Sequence, residues 1–428
     1  MSAESKLGGE IPAPAGMTES AGPAATPRHP GTPAHSDTPD HPGSARHPQT
    51  PGHPQAARHP QTPRDPREGG DLSRSREADI ARAALGRRHA VVGVGGWSFR
   101  FERRAAVVYL VLLLVALAAA VVGILIGDYG ITLDQVLASL FGTAEDPLAQ
   151  YFVTQVRLPR AVTALLVGAA LGMSGAIFQT VSGNPLGSPD VIGFTTGAAT
   201  GALLEIIVFG GDTLAIALAA IAGGLATAAI VYGLAWRSGV AGFRLVLVGI
   251  GIGAVLAAIN SLLVVKAPLE AAQTASQWLA GSLNSTLWPE ATAVAVALAV
   301  LTPIAVAWVR PLAQLPLGDA TATGLGVRVE RSRLVLIVVG VALMGVATAS
   351  TGPIAFIALA APHLVRKLTR TPGVALFGAA LMGGVLVLIS DLIARRLFAP
   401  TELAVGVITG SLGGLYLVWL LAVERKRL

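Results

Sequence analysis

At 428 residues, with 53% hydrophobic and 13% charged side chains and 50 glycines, the chain is too apolar for an ordinary soluble domain and reads as an integral membrane protein. A formal net charge of +6 is spread along the chain, and neither part is basic enough to point to nucleic acid. The absence of cysteine excludes disulfides, cysteine-held iron–sulfur clusters and thiolate metal sites.

The first residues, MSAESKLGGEIPAPAGM, lack the apolar run of a secretory signal, so the tail is expected to stay attached. Residues 1–70 read as a disordered cytoplasmic His/Pro-repeat tail: between Gly22 and Glu68, Pro, Gly, Thr, Ala and His leave almost nothing to bury. Histidines recur every six residues, at His29, His35, His41, His47, His53 and His59, mostly in an HPxTPx frame. Two readings stand: a metal-collecting tract, since imidazoles bind transition metals, or a proline-stiffened linker left by a slipped repeat. Residues 71–104 form a basic juxtamembrane segment. Within it, Leu72 to Ala90 reads as a short helix, either amphipathic on the membrane surface or plainly soluble.

The third region, 105–428, is a succession of apolar runs long enough to cross about 30 Å of hydrocarbon as helices. Spans are expected near 105–127, 161–180, 191–210, 213–235, 244–265, 288–309, 333–350, 352–366, 375–396 and 402–423. Lipid admits only helices and closed barrels, so runs of this length predict an all-α polytopic membrane protein of about ten transmembrane helices. With both termini cytoplasmic, the inner flanks hold 15 Lys and Arg and the outer flanks five, in keeping with the positive-inside rule.

The five outer cations, Arg157, Arg160, Lys266, Arg395 and Arg396, run against that bias. Arg157 and Arg160 flank Pro159 at the start of the second span, where the helix dipole also disfavours them. They either snorkel to lipid phosphates or receive carboxylates from a partner docking on the outer face. Arg395 follows Asp391 by four residues, so a local ion pair accounts for it as well. Between the second and third spans, SGNPLGSPD is a loop that two prolines and two glycines keep from continuing either helix. Gly249 and Gly253 in the fifth span, like Gly406 and Gly410 in the tenth, lie four apart on one helix face and permit close helix contact. Glu205 is an acid near the outer end of the third span, a functional candidate or a group reaching the interface. GIGIGA follows no strand and lies within lipid, so it is no nucleotide loop, and no GxxxxGK[ST] occurs anywhere.

RLPRAVTALLVGAALGMSGAIFQTVSGNPLGSPDVIGFTTGA resembles the signature of the permease subunits of ABC importers for ferric siderophores, haem and cobalamin. WLAGSL, LGDATATGLGV, TGPIAFIALAAPHLVRKL and DLIARRLFAPTELAVGVITGSLGGLYLVWLL match as well, in order, over essentially all of 105–428. The His/Pro tail is the departure from the family's pattern. The resemblance implies a multi-pass protein of the bacterial cytoplasmic membrane that is not itself an enzyme and binds no cofactor or metal. ATP and Mg would sit on two cytoplasmic ATPase subunits. The other partners implied are a second, identical or similar permease subunit, an extracytoplasmic substrate-binding protein and membrane lipid, with no nucleic acid. It also implies that the binding protein docks on Arg157 and Arg160, with Arg395 a third contact, and that Asn184, Pro185 and Leu186 form a cytoplasmic gate. Gly318, Asp319, Ala322, Gly324, Leu325 and Gly326 would seat in the ATPase as a coupling loop. Gly249, Gly253, Asn260, Ser261, Gly406 and Gly410 would line the pathway. Ferric siderophore is the first expectation for cargo, ahead of cobalamin and haem. A secondary transporter driven by an ion gradient is the main competitor, but its acids would sit near mid-membrane, whereas those here lie mostly at span ends. A membrane anchor using its tail to sequester metal is a further competitor.

Overall fold

The computed structural model describes residues 89–94, 97–127, 129–236, 242–284, 286–371, 373–399 and 401–425. The His/Pro tail and residues 72–88 of the expected juxtamembrane helix lie outside the described residues. β1 (His89–Val94) and β2 (Trp97–Glu102) pair as an antiparallel hairpin, Val94 opposite Trp97 and His89 opposite Glu102. His89 and Ala90, expected to end that helix, are therefore strand.

Beyond the hairpin the described chain is helix and connector. α1 (Arg103–Leu125) leads to α2 (Leu133–Phe141) and α3 (Pro147–Tyr151), then a π-helical turn (Phe152–Arg157) that continues into α4 (Leu158–Ser182). α5 (Phe194–Leu204) ends in a second π turn (Glu205–Phe209) and is followed by α6 (Thr213–Ala235), α7 (Gly242–Lys266) and α8 (Leu269–Leu279). α9 (Trp288–Ala307), α10 (Val309–Gln314), α11 (Asp319–Gly324), α12 (Val329–Thr351), α13 (Ile357–Thr369), α14 (Leu376–Arg396) and α15 (Val405–Arg425) complete the order.

Seven helical stretches are long and apolar enough to cross a membrane: α1, the continuous run Pro147–Ser182, α6, α7, α9, α12 and α14. Three further helices are shorter. Two of them, at Phe194–Phe209 and Val405–Trp419, are predominantly apolar, with Glu205 the one charged residue between them. The third, α13, has 13 residues, or about 20 Å at 1.5 Å per residue. The eighth expected span, 352–366, is thus corrected: helix starts only at Ile357 and runs on to Thr369. Gly352 and Phe356 have φ of +71° and +70°, a left-handed conformation that cannot propagate an α-helix, and Pro353 between them offers no N–H.

α4 is the hub. It is buried along almost its whole length and packs on α14, α12, α13 and α9. Small residues make this possible. A Cβ on Gly172 would lie 2.0 Å from the Ala379 carbonyl oxygen, and one on Gly383 would lie 2.0 Å from that of Gly168. Only hydrogen fits between these backbones, so α4 and α14 meet at the closest approach helices allow.

Candidate functional site

The three arginines expected to greet a partner gather at one end of the bundle, where α4 begins and α1 and α14 finish. They do not lie open on its surface. Arg157 and Arg160 are 6% and 8% exposed, and each is held by acceptors of the chain itself.

Arg157 donates to the carbonyl oxygens of Ile124 (2.8 Å), Leu125 (3.3 Å) and Tyr129 (2.6 Å) and lies 5.9 Å from the Phe152 ring centroid. Gly127 leaves room for it, since a Cβ there would sit 2.2 Å from Nη2. Arg395 reaches the same helix end from α14, donating to the Gly123 oxygen at 3.1 Å and the Ile126 oxygen at 3.3 Å. The last carbonyls of a helix lack intrahelical partners and form the negative end of its dipole. A cation that is poorly placed at the start of α4 is therefore well placed against the end of α1. The π turn before Leu158 and the proline behind it set the angle at which Arg157 crosses.

Arg160 is held by side chains. It meets Asp391 through Nη2 (2.8 Å) and Nε (3.1 Å), Glu402 through Nη1 (3.1 Å) and Asn284 through Nη2 (3.0 Å). Asp391 also pairs with Arg395 at 3.2 Å, the i,i+4 contact that the sequence suggests. Buried charges survive only when paired, and Asp391 between two guanidiniums meets that condition. The exposed member is Glu402, whose side chain is 38% accessible. Glu402 and Asn284 also border a cleft of about 940 Å³ walled by Trp278, Thr286, Glu290 and Thr351. Next to Arg157, whose guanidinium donates to the Tyr129 carbonyl, the Tyr129 hydroxyl donates to Asp146 at 2.7 Å, which holds that carboxyl below its usual range and raises the phenol.

At the opposite end, Asn184 folds the loop after α4 by accepting the Leu186 N–H at 2.9 Å, an Asx turn that leaves Pro185 and Leu186 exposed. The expected coupling segment is α11 between Gly318 (φ +91°) and Gly326 (φ +86°). Asp319 accepts from Arg333 at 2.6 and 2.9 Å, Ala322 is buried, and Leu325 projects 58% exposed. Nothing lies near an added Cβ on Gly318, Gly324 or Gly326.

The expected pathway residues divide. Gly249 and Gly253 pack on the backbone of Ile192 and Gly193, and Asn260 is buried, its amide 3.4 Å from the Thr196 oxygen. Gly406 sits on Ala280 and Pro353. These four make contacts inside the chain, and at the three glycines the missing side chain serves close packing. Ser261 is exposed and a Cβ on Gly410 would meet nothing. Glu205 is half-buried where the π turn starts. Sequence reading missed Glu402, Asn284 and the tie of Arg160 to Asp391, since 231 positions separate that pair. Among the described residues no three His, Cys, Asp or Glu side chains gather as a metal site would require.

Comparison with known proteins agrees with this architecture. The model of the FecCD transport family matches residues 109–423. The ferric enterobactin transport system permease protein FepG of Escherichia coli (strain K12) is 47% identical over 326 residues, covering 76% of this chain and 98% of its own. The achromobactin transport system permease protein CbrC of Dickeya dadantii (strain 3937) is 38% identical, over 73% of this chain and 90% of its own. A solved metal-chelate type ABC transporter in an inward-facing conformation superposes with a TM-score of 0.67 at 29% identity, covering 74% of this chain and 99% of that one. Matched by the family model over residues 109–423 and spanning nearly the full length of these proteins, the chain belongs to the FecCD transport family, as a permease subunit of an ABC transporter of the inner membrane.

Proposed function

We propose that this permease carries a ferric siderophore complex inward, as one half of a transmembrane dimer driven by two cytoplasmic ATPases that hold ATP and Mg. The observation that carries the cargo is the 47% identity, over 98% of its length, to a permease named for ferric enterobactin. Phe194–Phe209, α13 and α15 join the seven longer stretches as the remaining spans of a ten-helix subunit. Both termini are then cytoplasmic, the arginine end faces outward and α11 faces the ATPase.

In this reading an extracytoplasmic binding protein docks at the rim organised by Arg157, Arg160 and Arg395. A partner carboxylate reaches these cations only by replacing one of the chain's own acceptors, and half-exposed Glu402 is the acceptor positioned to leave. Leu325 and the bare glycines of the α11 segment seat in a groove of the ATPase, where the lack of side chains allows close approach. Asn184, Pro185 and Leu186 close the inner end.

The test is uptake of ferric chelates by iron-limited cells with and without this chain. Uptake of ferric enterobactin or another ferric siderophore that stops on ATP depletion and survives an uncoupler is expected. The reverse pattern would make the chain a gradient-driven carrier, and uptake of cobalamin or haem alone would replace the cargo.

A further inference from the structure

α11 is too short to hold its own pose. It has six residues, and a helix of fewer than about 12 gains too little from its own hydrogen bonds to stand alone. Gly318 and Gly326, both at positive φ, set it off from the chain on either side. What fixes it must therefore be side chains that reach the bundle. Ala322 is one, fully buried. Asp319 is the other, accepting from Arg333 through Nη2 at 2.6 Å and Nη1 at 2.9 Å. A two-pronged contact between a guanidinium and a carboxylate sets angle as well as distance.

Arg333 lies in the second turn of α12 and is itself enclosed, its side chain 7% accessible. A second carboxylate, Glu330 one turn earlier, lies 3.7 Å from its Nη1, and the Tyr232 hydroxyl of α6 donates to Glu330 at 3.5 Å. One arginine thus ties α11 to the adjoining ends of α12 and α6. The two acids keep contact with solvent, whereas the Arg333 Nε is sealed without an acceptor. A guanidinium so enclosed has almost no surface to offer a protein docked on α11. Any effect it has on such a partner passes through the helix it holds.

We infer that Arg333 is a positioning residue for the ATPase contact: it fixes the direction in which α11 presents Leu325, so that the permease meets its ATPase with this segment already in the bound pose. The inference rests on the proposed seating of α11 in the ATPase. Its physical content is pre-organisation, since a short helix held in one pose loses less freedom on binding than one the partner must order. It also divides the expected coupling residues by role: Asp319 and Ala322 hold the helix to the bundle, and Leu325 meets the partner.

The experiment is a double-mutant cycle on the full-length permease, with melting temperature and affinity for the ATPase measured for each variant. Arg333→Met leaves two solvent-accessible carboxylates and places a long apolar side chain in the enclosed site, a change the bundle can accept. It is expected to weaken ATPase affinity about tenfold with the melting temperature unchanged, as is Leu325→Glu. Because Arg333 acts through the presentation of Leu325, the combined variant is expected to stay within about threefold of Leu325→Glu alone. Losses that multiply to about a hundredfold would overturn the inference, since independent contacts add in free energy. Parental affinity in Arg333→Met beside a weakened Leu325→Glu would overturn it too, leaving the role of α11 intact, whereas parental affinity in both removes that role. Should Arg333→Met yield no folded permease, Arg333→Lys decides, because it keeps the charge and loses the two-pronged grip. Affinity about threefold weaker is then expected, and parental affinity would overturn the inference.

Discussion

Arg157 and Arg395 show a side chain answering to the end of a helix other than its own. Both guanidiniums meet carbonyl oxygens of Gly123 to Ile126, so Arg157, which looks misplaced at the start of the second span, and Arg395 of the ninth are caps for the first. Arg160, by contrast, is balanced by carboxylates of unequal accessibility, so under the proposed docking role the buried Asp391 would serve structure and the exposed Glu402 the partner. Glu402→Gln weakens the exposed half of the arrangement, so affinity for the binding protein should rise a few-fold with thermal stability unchanged, as titration of the purified pair would show. Asp391→Asn removes the buried half and should cost about 3 kcal/mol, because Arg160 and Arg395 are left without their shared counter-charge. Lower affinity in Glu402→Gln would mean that this acid is itself a contact for the partner. The sequence showed that these cations were unusual but not what held them. Backbone carbonyls leave no mark in a sequence, and the one partner visible by spacing, Asp391 beside Arg395, is the only one that was legible.

Among the elements, apolar run length located the helices well, because crossing hydrocarbon constrains length and composition together. It failed where a run crosses without being helical throughout. Residues 352–356 are as apolar as a span, yet Gly352, Pro353 and left-handed Phe356 hold α13 back to Ile357. Nor did periodicity reveal that α4 is surrounded, since a helix apolar on all sides looks alike whether it meets lipid or protein. Its glycines decide the matter. Gly172→Ala would drive a methyl to 2.0 Å from the Ala379 oxygen and should lower stability by about 1–3 kcal/mol or more. Gly410→Ala, with no atom within 4 Å, should be neutral or slightly stabilising. Thermal unfolding of the two variants in the same detergent checks the contrast, and equal losses would show that the α4–α14 seam is looser than described.

For the whole molecule, each end has a different character. One is closed by buried ion pairs beside a cleft of mixed lining, and the other presents short turns with bare glycines and the projecting Leu325. An apolar side chain this exposed has little of its surface to bury within the chain. Leu325→Glu should therefore leave the melting temperature unchanged while reducing recovery of the ATPase with the purified permease about tenfold, as expected for an anchor residue at an interface. Unchanged recovery would remove this segment from the contact. Membership of a permease family was readable from motif order, whereas the contacts that make the bundle rigid depend on residues far apart in the chain.

One of the two arginines sealing α1 sits at position 157 and the other at 395 of 428. During synthesis the nascent chain thus carries its first membrane helix with that terminus only half finished until almost everything else has left the ribosome. A helix made late completes one made early, so a chain truncated before α14 would lack not just that helix but also the closure of α1.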